Sequence, residues 1–100
     1  MTQITYHIDP ADLAAWELAQ IAILTPLKLT MTPSFIAENY LSHKLGQWFD
    51  DNTADGWEEM RSGWMTVAYC VFDTTPLSAN LEFHSTSEAM LFKLTFGGAA

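Results

Sequence analysis

The chain is short of three things: cysteine, positive charge and any long uninterrupted apolar run. Cys70 is the single cysteine, so no intramolecular disulfide can form, and the pattern does not match small secreted domains, which lean on several such bridges. The first residues, Met1 to Thr5, lack the basic start and apolar stretch of a secretory signal. The most apolar window, Leu13 to Leu24, is interrupted by Glu17 and Gln20 and falls short of the roughly 20 residues that cross a bilayer. These absences point to a reducing, cytoplasmic address.

Four cations, Lys28, Lys44, Arg61 and Lys93, face twelve carboxylates, for a formal charge of −8. A field of that sign repels phosphates and anionic lipid heads and attracts basic proteins. Direct nucleic-acid binding requires the opposite sign, so neither nucleic acid nor membrane is an expected partner.

Catalytic and metal-binding spacings are missing too. His7, His43 and His84 sit on three separate segments with no histidine or cysteine partner at zinc-ligand spacing. Cys70 lies between Tyr69 and Val71 with no neighbouring Lys, Arg or His to lower its pKa, and reads as an inert thiol. Ser85 beside His84 is adjacency in sequence only, since catalytic dyads are assembled in space. Gly97 and Gly98 precede no helix that could present amides to a phosphate. No P-loop, dinucleotide fingerprint or nucleophile elbow is present. The expectation is a protein with no cofactor, no metal and no enzymatic activity.

Apolar residues make up 49% of the chain, with four Trp, six Phe and three Tyr. That content rules out a disordered chain and suits one small core anchored on aromatics, a single domain over residues 1–100. Ile4, Tyr6 and Ile8 alternate with polar neighbours as in a strand. Asp9–Pro10 and Thr32–Pro33 are helix starts. The first helix runs to Leu24 with Ala14, Leu18, Ile21 and Ala22 along one side, and reads as buried on most sides. Leu27 to Thr32 reads as an extended connector or edge strand. The second helix presents Ala37, Leu41, Leu45 and Trp48 and ends at Asp50–Asn52. Asp55 and Glu58 then form a capping-box pattern. Trp57, Met60, Trp64, Val67 and Val71 continue at helical spacing to about residue 72; the competing reading stops the helix at Gly63 and follows it with a strand. Leu81 and Phe83, then Met90, Phe92, Leu94 and Phe96, alternate as a C-terminal hairpin around a turn at Ser85–Ser87, with a small tail from Gly97. The expected fold is α+β in two layers, about three helices on a small antiparallel sheet made of the N-terminal strand and that hairpin.

Five carboxylates crowd into ten residues, Asp50, Asp51, Asp55, Glu58 and Glu59, interleaved with Trp48, Phe49 and Trp57. Helix ends recruit such residues for capping; an aromatic and acidic patch also suits an interface with a basic protein. The partner-binding candidates are Asp50, Asp51, Asp55, Trp57, Glu58 and Glu59. In size, acidity and want of catalytic motifs the whole chain resembles small phage-encoded inhibitors, anti-CRISPR proteins and other nucleic-acid mimics. The resemblance is one of type and transfers no functional residue. It implies a non-enzymatic inhibitor, acting in the bacterial host cytoplasm, that engages a basic nucleic-acid-binding protein or ribonucleoprotein. The alternatives are a structural or homodimeric accessory subunit and a small enzyme or metal- or ligand-binding domain.

Overall fold

The structure is a computed structural model in which residues 2–27 and 32–96 are described. Strand β1 (Thr2–His7) is followed by helices α1 (Pro10–Leu24), α2 (Pro33–Asn52) and α3 (Gly56–Gly63), then β2 (Met65–Tyr69), β3 (Pro76–Phe83) and α4 (Thr86–Phe96). A 3-10 turn, Thr25–Leu27, extends α1. The sheet runs β1-β3-β2 with both pairings antiparallel. The α+β architecture is as expected from the sequence.

Two helix starts work as their residues dictate. Asp9 Oδ1 accepts from the Ala11 amide at 3.0 Å and Thr32 Oγ1 from the Phe35 amide at 3.1 Å, and each cap is followed by proline at the first helical position. These bonds satisfy amides that the first turn leaves without partners.

Two elements differ from the expectation. The helix does not continue to residue 72: it ends at Gly63, and Met65–Tyr69 pair with β3. Trp64, Val67 and Val71 fit helical spacing while Met65, Val67, Tyr69 and Val71 fit strand alternation, and a neighbouring strand with open hydrogen-bonding groups decided for the β-branched, aromatic run. The hairpin is therefore β2–β3, closed by bonds between Cys70 and Thr75 backbone groups at 2.8 and between Thr74 N–H and Cys70 O at 2.9 Å. Thr74 sits at φ 60°, a strained position for a β-branched residue. The second difference is that Thr86–Phe96 is a helix and not a strand. Ser85 Oγ accepts from the Glu88 amide and Ser85 O from the Ala89 amide, so the supposed turn is a helix cap. Ala89, Phe92 and Phe96, spaced three and four apart, face the core.

The sheet is covered on one side only. Along β1, Thr2, Ile4 and Tyr6 are half-buried while Gln3, Thr5 and His7 are exposed. On the open side Gln3 Nε2 donates to Glu82 Oε1 at 2.9 Å and Thr5 Oγ1 to Asn80 Oδ1 at 2.6 Å. The covered side meets α2 and α4 through Ala79, Leu81 and Phe83. At the centre stands Phe49, fully buried, its ring stacked on Phe83 at 5.6 Å and tilted against Trp57 and Phe92 at 5.6 Å each. Trp48, Phe92, Phe96 and Tyr6 extend the cluster edge to face.

Helix α1 contradicts the reading of a helix buried on most sides. Leu13 is its one fully buried residue among those described; Trp16 and Leu24 are half-buried, while Ala14, Leu18, Ile21 and Ala22 face outward. Both stripes are apolar, so periodicity alone could not choose between them; Trp16 chose, by packing edge-on against Tyr40 at 5.8 Å. A polar clasp holds the start of α1 down. Asp12 Oδ2 accepts from Tyr40 Oη at 2.6 Å and pairs with Lys44 Nζ at 2.7 Å. The segment expected as a connector begins with Leu27 in the 3-10 turn; residues 28–31 and the tail from 97 lie outside the described residues.

Two outcomes follow from this packing. Phe49→Ala removes a side chain with no exposed surface and leaves a cavity ringed by aromatics, so it lowers stability by about 3–5 kcal/mol, readable in urea unfolding against a total of about 5–15 kcal/mol. The second concerns acid. Lys44, then the Tyr40 hydroxyl, holds the Asp12 carboxyl below its ordinary range. A depressed carboxyl contributes stability above its unfolded pKa, near 3.9, and loses it as pH falls through the lower folded value. Unfolding curves of Asp12→Asn therefore show a shallower loss of stability below about pH 4 than the parent; equal slopes would disprove the clasp.

Candidate interaction cleft

The corner between α2 and α3 positions the acidic segment. Thr53 Oγ1 donates to Phe49 O at 2.7 Å and accepts from the Gly56 amide at 3.0 Å. Asp50 Oδ1, from the last turn of α2, accepts from the Trp57 amide at 3.0 Å. Asp55 occupies the cap position but makes no side-chain cap bond, so the expected box of Asp55 and Glu58 is replaced by Asp50 and Thr53. Gly56 is at φ 76°, where a side chain is unfavourable, and a Cβ there would come within 3.0 Å of Asp50 Oδ1. The corner thus depends on a glycine with a carboxylate folded over it.

This geometry divides the sequence candidates. Asp50 is committed to its cap. Asp51 Oδ1 accepts from Gln47 Nε2 one turn back at 3.0 Å. Glu58 binds Arg61 through both Nε, at 3.1 Å, and Nη2, at 2.7 Å. Trp57 is 6% exposed: its ring packs on Phe49, and its Nε1 is buried with no partner among the described residues. Trp57 therefore belongs to the core and presents no anchor to a partner. Asp55 and Glu59 are exposed and make no side-chain bond among the described residues.

Asp55 and Glu59 open onto a shallow cleft whose floor is Phe49, Met60, Trp64 and Phe83 and whose rim also carries Glu82, His84 and Glu88. The cavity volume is about 30 Å³, room for the tip of a side chain and far below the several hundred cubic ångströms of small-molecule sites. Strand β3 supplies Glu82, whose Oε1 accepts from Gln3 Nε2. The capped start of α4 supplies Glu88, and His84 lies edge-on to Trp64 at 4.3 Å. Four carboxylates surround an aromatic floor, and no cation lines it. Two wider grooves differ in this respect: one is lined by Arg61 and the other by Lys44, each already paired with a carboxylate. Among the described residues no group of three or more His, Cys, Asp or Glu side chains could hold a metal ion, and no helix is long and apolar enough to cross a membrane.

Reading the segment 50–59 alone finds Asp55 and Glu59 but misses Glu82, Glu88, Trp64 and His84, which reach the cleft only because β3 returns beside β2 and α4 begins at its end. Comparison with known protein families, curated proteins and solved structures gives no match.

The division of the acids has a measurable consequence. Asp50→Ala removes a cap bond and costs about 1 kcal/mol, while Asp55→Ala, with no bond to lose, changes stability by less than about 0.5 kcal/mol. Thermal unfolding of the two variants side by side checks the order.

Proposed function

We propose that the chain is a non-enzymatic binding module that takes an arginine or lysine side chain of a basic protein into the cleft rimmed by Asp55, Glu59, Glu82 and Glu88. One observation carries this reading: an acidic, aromatic-floored cleft with no cation of its own, on a chain of charge −8. A guanidinium can lie against Trp64 while its N–H groups reach carboxylates on the rim. The small cavity supports capture of a side-chain tip over turnover of a substrate. A basic protein that handles nucleic acid is the partner class this chemistry fits, since carboxylates displayed on one surface occupy the places of phosphates and block DNA or RNA from binding.

The test uses an arginine-rich peptide as probe, followed by amide chemical shifts of the full chain. Binding concentrates shifts at Asp55, Glu59, Trp64, His84 and Glu88, and weakens as the Debye length contracts from about 10 Å at 0.1 M salt to about 3 Å at 1 M. The triple variant Asp55→Asn, Glu59→Gln, Glu88→Gln loses about tenfold or more in affinity at low salt. Shifts spread evenly over the surface, or an unchanged affinity in the variant, would mean that net charge alone attracts the peptide and the cleft has no part. Inhibition is read separately: a nucleic-acid-binding protein captured from nuclease-treated bacterial lysate must be released by added DNA or RNA.

A further inference from the structure

The sheet has an open edge that runs into the cleft. Strand β2 stands at the outside of the order β1-β3-β2. Trp64 O accepts from the Glu82 amide at 2.9 Å, and Thr66 and Ala68 follow in the same phase, opposite Asn80 and Ser78. Backbone groups alternate between the two flanks of an antiparallel strand, so the N–H and C=O groups of Met65 and Val67 point away from β3. No hydrogen bond reaches these outward groups among the described residues. Edges are ordinarily guarded against a further strand by lysine, other charges or proline. Met65–Tyr69 reads Met-Thr-Val-Ala-Tyr and has none of these. A register shift between Ala68 and Tyr69 interrupts the edge only at the end away from the cleft. Strand β1 has an outer edge too, but none of its residues lines the cleft.

We propose that the basic partner docks as an extended segment, a step that rests on the cleft being its arginine site: the segment adds an antiparallel strand to β2 and delivers its arginine from that edge. Trp64, the residue before β2, is part of the cleft floor. Its backbone bond sets it opposite Glu82, and side chains opposite one another share a face of the sheet. An arginine beside Trp64 on the added strand extends the same row, with its guanidinium against the ring and turned toward the rim carboxylates. Charge selects the occupant. Asp55, Glu59, Glu82 and Glu88 at the end of this edge repel an acidic strand, another copy of this −8 chain included, and attract a basic one. Backbone bonds to Met65 and Val67 supply affinity without regard to sequence, and the cleft supplies the choice of side chain.

The probe is the acetylated peptide amide Thr-Val-Thr-Val-Thr-Arg, added to the full chain. Two controls accompany it. One is the same peptide N-methylated at its third and fifth residues, which keeps the charge but cannot donate to the Val67 and Met65 carbonyls. The other has glutamine in place of arginine. The parent peptide binds about tenfold or more tightly than either control. Amide hydrogen exchange slows at Met65 and Val67 and is unchanged at Gln3 and Thr5, on the outer edge of β1. Val67→Pro removes an outward N–H, a position where an edge strand tolerates proline, so circular dichroism is unchanged while the advantage of the unmethylated peptide is lost. A methylated peptide that binds as tightly, with shifts at Asp55, Glu59 and Trp64, would overturn strand addition and leave the cleft as a site for a side chain alone. Protection at Gln3 and Thr5, or at neither edge, would overturn it as well. A glutamine peptide that binds as tightly would remove the cleft itself from the interaction, and this proposal with it.

Discussion

The stacking of Phe49 on Phe83, with Trp57 and Phe92 closing round it, is the contact through which the two layers of this molecule are joined. It links the end of α2, the start of α3, the middle strand and α4 in a single cluster of rings. A three-stranded sheet gains its stability by burying one apolar face against helices. Its covered face needs large flat side chains, and a chain this short supplies them as aromatics in preference to a larger number of aliphatics.

The same ring explains where function can sit. Because Phe49 and Trp57 are drawn inward, the turn between them is pulled tight, and Gly56 with Asp50 over it lets the chain reverse there. The reversal leaves Asp55 and Glu59 on the outside of the corner, next to the ends of β3 and α4. The aromatics thus act twice: their faces build the core, and the edge of the same cluster floors the cleft that the carboxylates rim. The acids are not equivalent. Asp12, Asp50, Asp51 and Glu58 are held by partners within the fold, as is Glu82 by Gln3, while Asp55 and Glu59 make no side-chain bond among the described residues and lie with Glu82 and Glu88 around the cleft.

Sequence reading recovers elements whose ends carry local chemistry. Asp9–Pro10 and Thr32–Pro33 mark α1 and α2 because a cap and a proline act within three residues of one another. It is misled where two periods fit the same residues. Phe92 and Phe96 satisfy a strand and a helix alike, and the deciding signal was Ser85 with Glu88 three residues on, a cap pattern hidden in what reads as a turn. Val67 and Val71, four apart, pose the same ambiguity, resolved by β3, a partner distant in sequence. The orientation of α1 was not readable at all, since Leu13 and Trp16 on one side and Leu18 and Ile21 on the other are equally apolar. For the cleft, Asp55 and Glu59 were legible as part of an acidic run. Glu82 and Glu88 were not, because only the return of the chain across the sheet brings them there.

The strand order β1-β3-β2 places β1 against β3, the last of the three to be made. Thr2 pairs with Phe83 and His7 with Ser78, so nearly the whole chain intervenes between partners. During synthesis, α1 and α2 emerge and can associate through Leu13, Trp16 and Tyr40 while β1 has nothing to pair with, and its open backbone edge waits until residues 76–83 have left the ribosome. The alternating Gln3, Thr5 and His7 keep one side of that waiting strand polar. A ladder closed so late leaves β1 open to pairing with the wrong strand for as long as β3 has not been made.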